Sequence, residues 1–189
     1  MIDHFKFIAP FYEKFFPVKN VNDIIDRAGL PVDGILLDAG GGTGRVSKGL
    51  QEFVANVVLL DESLDMLFQA RGNEHLLPTH SNTETIPFED SRFQVILLID
   101  AFHHVSSQEK TLLELWRVLS PGGKFIIIEP DFNLFAVKLV AFVEKFLLMR
   151  SHFRKPEDIV QLANQLEGSE VSLVMDGFNA WVIINKLAD

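Results

Sequence analysis

The sequence predicts an α/β fold: a doubly wound, mostly parallel sheet of seven strands that ends in an antiparallel hairpin. Three observations carry that expectation. Short apolar runs alternate with segments of helical spacing over residues 22–129, an order that calls for crossover connections and a parallel sheet. A glycine-rich turn, Gly40-Gly41-Gly42-Thr43-Gly44, follows the first of those runs directly. Past residue 168 the alternation gives way to two strand-like runs split by Asp176-Gly177, a hairpin signal.

Strands buried on both faces read as continuous apolar stretches bounded by turn residues. Five such stretches run Gly34 to Asp38, Ala55 to Leu60, Leu76 to His80, Phe93 to Ile99 and Lys124 to Glu129. Helical spacing falls between them at Asn22 to Ala28, Arg45 to Phe53, Ser63 to Ala70 and Ser107 to Leu119. The last helix is the best marked, with Ser106 and Glu109 spaced as a capping box and Ser120-Pro-Gly-Gly as its stop. Two consecutive helices follow the fifth strand, Leu134 to Arg150 and Pro156 to Leu166, with Pro156 where a first turn tolerates it. The final strands are Val171 to Met175 and Ala180 to Lys186.

A chain of 189 residues fits one domain, here 1–189, with residues 132–168 as a helical insert expected to shape substrate choice. A formal net charge of −9 and the lack of any Lys/Arg run argue against a nucleic-acid partner, which needs a basic surface. The absence of cysteine excludes disulfides, thiolate metal sites and cysteine nucleophiles. Residues 1–10 lack a basic stretch followed by an uninterrupted apolar core, so cytoplasmic localisation is the expectation.

Glycine permits positive φ and leaves no Cβ, so the turn after the first strand lets a ligand approach the backbone at the carboxyl edge of the sheet. A dinucleotide fingerprint wants glycine at the first, third and sixth positions, yet counting from Gly40 the sixth is Arg45. Asp61 ends the second strand, where a carboxylate can accept from both hydroxyls of a ribose. The same residue and Ser63 are also suited to capping the helix that follows.

Leu37-Asp38-Ala39-Gly40-Gly41-Gly42-Thr43-Gly44 resembles motif I of class I S-adenosylmethionine-dependent methyltransferases, and Asp61-Glu-Ser-Leu-Asp-Met-Leu67 resembles their next, acidic motif. Three more stretches are similar to family segments in the same order: Thr85 to Val95, Ala101-Phe-His-His-Val105 and Leu115-Trp-Arg-Val-Leu-Ser-Pro-Gly-Gly123. The resemblance covers about half the chain, Asp38 to Glu129, and the terminal hairpin agrees with it. Phe7-Ile-Ala-Pro-Phe-Tyr-Glu13 is similar to a segment of the ubiquinone and menaquinone biosynthesis methyltransferases.

The resemblance implies a Rossmann-like fold and the transfer of a methyl group from S-adenosylmethionine to a small, apolar or aromatic molecule, with S-adenosylhomocysteine as product. It implies that Gly40, Gly41, Gly42 and Gly44 lie under the methionine part, that Asp38 organises the loop, and that Asp61 holds the ribose. Glu62 and Met66 would line the adenine, with Asn82 and Thr83 at its edge; the family often has Asp where Asn82 stands, and an amide accepts more weakly. Ile99, Asp100 and Phe102 would contact the methionine end, and Tyr12 would close over the cofactor within a helical lid at residues 1–30.

A sulfonium methyl is already activated, so alignment and water exclusion do most of the work. A base is needed only where the acceptor must lose a proton, and Asp100 or His103 is the candidate. His103 and His104 are adjacent and lack partners at ligand spacing, so no metal is expected, and they could equally pack at a helix start. The stretch Leu134 to Met149 is more apolar than one core-facing stripe needs. Core packing with a dimer contact, a lipophilic substrate pocket or a membrane-surface contact each account for it, and both monomer and homodimer stay open. Two other functions compete: a non-catalytic regulator or scaffold that binds S-adenosylmethionine, and a nucleotide-cofactor oxidoreductase.

Overall fold

The structure is a computed structural model that describes residues 21–70, 75–146 and 151–188. Tyr12 and the proposed lid segment before residue 21 lie outside the described residues. Helix α1 spans Val21–Ala28, strand β1 Ile35–Ala39, α2 Ser47–Leu50, β2 Asn56–Asp61, α3 Leu64–Ala70 and β3 Leu76–His80. Then come β4 Phe93–Ile99, α4 Gln108–Val118, β5 Leu119–Pro130, α5 Phe135–Phe146, α6 Pro156–Ala163, β6 Ser169–Asp176 and β7 Asn179–Lys186.

The sheet runs β3-β2-β1-β4-β5-β7-β6. The first five strands pair parallel, and β7 enters antiparallel between β5 and β6. The expected fold class is therefore the observed one. Both faces of the central strands are covered: Val95, Ile96, Leu97 and Leu98 are at most 1% exposed, and Phe125 to Ile128 are sealed at 0%. Full burial of such a side chain contributes about 1.5–3 kcal/mol, which is why an unbroken apolar run reads as a central strand.

Gln94 is the polar exception within β4, and its amide is satisfied. Its Oε1 accepts from the Ile35 amide at 2.7 Å and its Nε2 donates to Ser120 Oγ at 3.3 Å, tying the entry of β1 to that of β5. A Cβ at Gly34 would stand 2.2 Å from Gln94 Oε1, so that approach requires glycine. On the other side of the sheet, the Arg117 guanidinium joins α4 to the loop before β4. It donates to the Ile86 carbonyl at 3.0 Å, the Phe88 carbonyl at 2.9 Å and Asp90 Oδ1 at 2.7 Å, and pairs with Glu114 at 2.9 Å.

Three local expectations need correction. The helix expected over Arg45 to Phe53 is a turn through Val46, a short α2 and a 3-10 turn at Gln51–Phe53, because Gly44 at φ 71° delays the helical start. The cap of α4 is Ser107, which accepts from the Lys110 amide, and Ser106 is not the capping residue. Strand β5 already begins at Leu119, running through the Pro-Gly-Gly expected only as a helix stop, with a register shift opposite Phe93/Val95. Among the described side chains of helix α5, Val137 is 2% exposed, whereas Phe135, Leu139 and Phe142 face solvent, in keeping with a stretch more apolar than a core stripe needs.

Candidate functional site

Strands β1 and β4 are neighbours whose connections leave toward opposite ends of the sheet, to β2 and to β5. Their carboxyl ends thus flank a topological switch point, the crevice in which open α/β sheets bind ligands. The glycine loop fills one wall. Gly40, Gly42 and Gly44 have φ of 68°, 57° and 71°, a left-handed backbone that costs an L-residue roughly 1–2 kcal/mol. A Cβ at Gly40 would come within 2.7 Å of the Ala101 Cβ, and one at Gly41 within 2.3 Å of Leu59 Cδ1. At Gly42 a Cβ would meet nothing within 4 Å, so this stretch of backbone faces open space.

Two carboxylates hold the loop. Asp61 Oδ2 accepts from the Gly42 amide at 2.9 Å, and its Oδ1 accepts from the Ser63 amide at 2.8 Å. Asp61 therefore clamps the loop and braces the turn into α3, which Ser63 Oγ caps by accepting from the Met66 amide at 3.4 Å. An ionised carboxylate offers about four acceptor positions, so capacity remains for a ribose diol. Burial raises the Asp61 pKa above the ordinary value, opposed by those two amide bonds and by nearby His80. Asp38, 2% exposed, accepts from Ser47 Oγ; its pKa is raised to about 6 by burial and by the Asp61 charge, with the Ser47 bond pulling the other way.

The opposite wall starts at Asp100, half-buried and held at φ 51° while its amide donates to the Ile128 carbonyl at 2.9 Å. A non-glycine residue in this backbone region stores strain of order 1 kcal/mol, a cost that clusters at binding sites. Ile99 is half-buried beside it. Phe102 is not brought to the crevice: its ring is 1% exposed within the core, and its amide donates to Glu129 Oε1 at 2.8 Å. His103 is also sealed, at 1% exposed. Its Nδ1 bonds Glu129 Oε2, and its ring stacks on Phe153 at 4.2 Å. In this conformation His103 packs rather than meeting a substrate.

His104 is tilted against His103 at 4.0 Å, and burial with the His103 charge lowers its pKa to about 3, so it is neutral near neutrality. Toward the second half of the crevice, Glu62 is exposed and Met66 half-buried. Asn82 is exposed and its Oδ1 accepts from the Glu84 amide at 3.1 Å, so the amide oxygen already shapes its own turn. Thr83 is buried, its hydroxyl 3.0 Å from that of Thr111.

Glu129 was not legible as a site residue, although a carboxylate at the carboxyl end of a buried strand is the signal that marks it. Ser47 and Glu84 were missed as well; Glu84 Oε1 accepts from the Ser107 amide at 2.8 Å and ties the Asn82 turn to the start of α4. A second hollow of about 330 Å³ lies at the amino edge, lined by Gly29, Pro121 and Lys124. Its one cation is committed, since Lys124 Nζ donates to the Arg27 carbonyl at 2.9 Å.

Residues 37–127 match the family described as "Methyltransferase domain". The chain is 30% identical over 115 residues to a ubiquinone/menaquinone biosynthesis C-methyltransferase of Hahella chejuensis, covering 56% of this chain and 46% of that one. It is 33% identical over 117 residues to the enzyme of the same name from Vibrio parahaemolyticus, at 56% and 44% coverage. The chain thus spans about half the length of the curated relatives it matches. Among solved structures it is similar to a SAM-dependent methyltransferase from Aquifex aeolicus, with a TM-score of 0.71, 19% identity and coverage of 95% and 94%. It is similar also to a Bacillus halodurans protein assigned as a methyltransferase, with a TM-score of 0.77, 19% identity and coverage of 89% and 99%. At these identities the structural likeness speaks to the fold.

Proposed function

We propose that this chain, whose residues 37–127 match the methyltransferase-domain family, transfers a methyl group from S-adenosylmethionine to a small apolar or aromatic molecule. The observation that carries this reading is the Asp61 clamp on Gly42, which sets a carboxylate with spare acceptor capacity beside backbone that faces open space. Gly40, Gly42 and Gly44 would lie under the methionine part, Asp61 would take the ribose, and Met66 with the Asn82–Thr83 turn would flank the adenine. Asn82 contributes there through its NH₂ group and the second lone pair of its oxygen, because the first is used by Glu84.

The cofactor supplies a sulfonium methyl that needs no further activation. The chain's own residues bind, orient and exclude water, which is where an in-line displacement gains most. The relatives' name supports a ring carbon of an aromatic or quinone-like acceptor, and such a carbon gives up a proton after alkylation. Asp100, half-buried at the turn after β4, would take it, while Glu129, which accepts from the Phe102 amide and bonds His103, would hold the backbone that follows. The sheet order, with β7 antiparallel between β5 and β6, weighs against the oxidoreductase alternative. Cytoplasmic action is part of the same proposal.

The test is turnover. The full chain incubated with S-adenosylmethionine and a panel of phenols and hydroquinones should form S-adenosylhomocysteine and a methylated ring, read by mass spectrometry, and Asp100→Asn should lower that rate. Tight cofactor binding with no methyl transfer to any of the panel would favour the non-catalytic binder instead.

A further inference from the structure

Helix α5 turns an apolar stripe toward solvent. Phe135, Leu139 and Phe142 fall at i, i+4 and i+7, one face of a helix, and are 82%, 56% and 68% exposed. A fourth ring, Phe178, is 60% exposed at the β6–β7 turn. The Phe178 carbonyl accepts from the Asp131 amide at 2.8 Å, which fixes that turn at the corner from which α5 departs. Large side chains grouped on one corner mark a surface meant to be covered.

The charge around the stripe says by what. Residues 132–155 hold Lys138, Lys145, Arg150, Arg154 and Lys155 against the single acid Glu144, in a chain whose formal net charge is −9. Lys138 and Lys155 are exposed. Arg154 is committed, paired with Glu109 at 2.7 Å and bonded to Gln108, and adds little. An aromatic stripe on a stretch with five bases and one acid, in an otherwise acidic molecule, matches an interface whose interior is apolar and whose rim is anionic. A second copy of the chain matches it worse, because two stretches of net positive charge would face each other across the contact.

We propose that α5 and the Phe178 turn dock this protein onto an anionic lipid bilayer surface, with the rings at the acyl boundary and the lysines among the headgroup phosphates. Among the described residues no helix is long and apolar enough to cross a membrane, so the mode is surface docking. Helix α5 starts shortly after Pro130, at the carboxyl end of β5, the edge of the sheet that also carries the glycine loop. Docking there brings that edge to the bilayer, where an apolar acceptor would reside. This last consequence rests on the proposed reaction; the docking does not.

Co-sedimentation of the full chain with vesicles tests it. Vesicles of mixed phosphatidylglycerol and phosphatidylcholine should retain the protein, pure phosphatidylcholine much less, and added salt should release it. The double variant Phe135→Ser, Phe142→Ser should lose about tenfold or more in partitioning, and Lys138→Glu should lose less and only on the anionic vesicles. All three side chains are exposed, so melting temperatures should stay at the wild-type value. Absence of binding to the mixed vesicles, or equal binding by the double variant, overturns the proposal. So does a concentration-dependent dimer that the double variant abolishes without any vesicle binding, which would make a second copy the occupant. Calorimetry with S-adenosylmethionine on the double variant should match wild type, so a failure of docking is distinguishable from a failure of the cofactor reading.

Discussion

Asp38 and Asp61 bracket the glycine loop, and their burial gives the site a pH signature. With a folded pKa of about 6 against an ordinary 3.8, Asp38 binds its proton more tightly in the native state. Stability therefore falls as pH rises through that window, by up to about 3 kcal/mol for the full shift. His104 acts in the opposite direction: lowered to about 3 from 6.5, it must take up a proton on unfolding, so stability is lost as pH falls below the unfolded value. Comparing a variant with wild type at each pH cancels the histidine. Asp38→Asn keeps an acceptor for Ser47 and removes the buried charge, so it should be more stable than wild type by about 1–3 kcal/mol at pH 8 and equal to it below pH 4, measured by denaturant unfolding. A difference that does not change with pH would contradict this account of Asp38.

At the scale of elements, the strand–turn–helix unit from β1 to α2 positions the backbone that faces open space at Gly42. Gly42→Val places a β-branched residue at φ 57° with its side chain in open space. The fold should survive with a loss of roughly 1–2 kcal/mol, while S-adenosylmethionine binding should be abolished by calorimetry, because the side chain stands where the ligand would pass. Retained affinity would mean that the ligand does not approach this turn. Four of the five parallel strands and the glycine loop were readable in the sequence because double burial and positive φ each leave a local mark, whereas β3 at the sheet edge buries only Leu76. Phe102, which the resemblance put at the methionine end, lies in the core beyond the turn that Asp100 makes at positive φ after β4. The Glu129–His103 pair joins residues 26 apart through the parallel β4–β5 register, and no local spacing announces it. The α5 stripe was visible as excess apolarity, but its partner was not, since core, pocket and lipid all ask for the same side chains.

At the scale of the molecule, the sheet places the candidate binding groups among the described residues on one edge, the carboxyl ends of β1, β2, β3 and β4, and leaves the hollow at the amino edge to backbone turns. The net charge suits a small ligand over a polyanion, and its inversion over residues 132–155 coincides with the exposed apolar corner. The chain spans about half the length of the quinone-pathway relatives, so the site and not the relatives' whole activity is the firm ground for testing. That site makes one central claim, that Asp61 and the glycine loop hold S-adenosylmethionine. Isothermal titration of the full chain and of Asp61→Ala measures it directly. Wild type should bind S-adenosylmethionine and S-adenosylhomocysteine, and the variant should lose about 1–3 kcal/mol of that affinity. No heat from either compound, equal affinity in the variant, or preferential binding of a nicotinamide dinucleotide would contradict it.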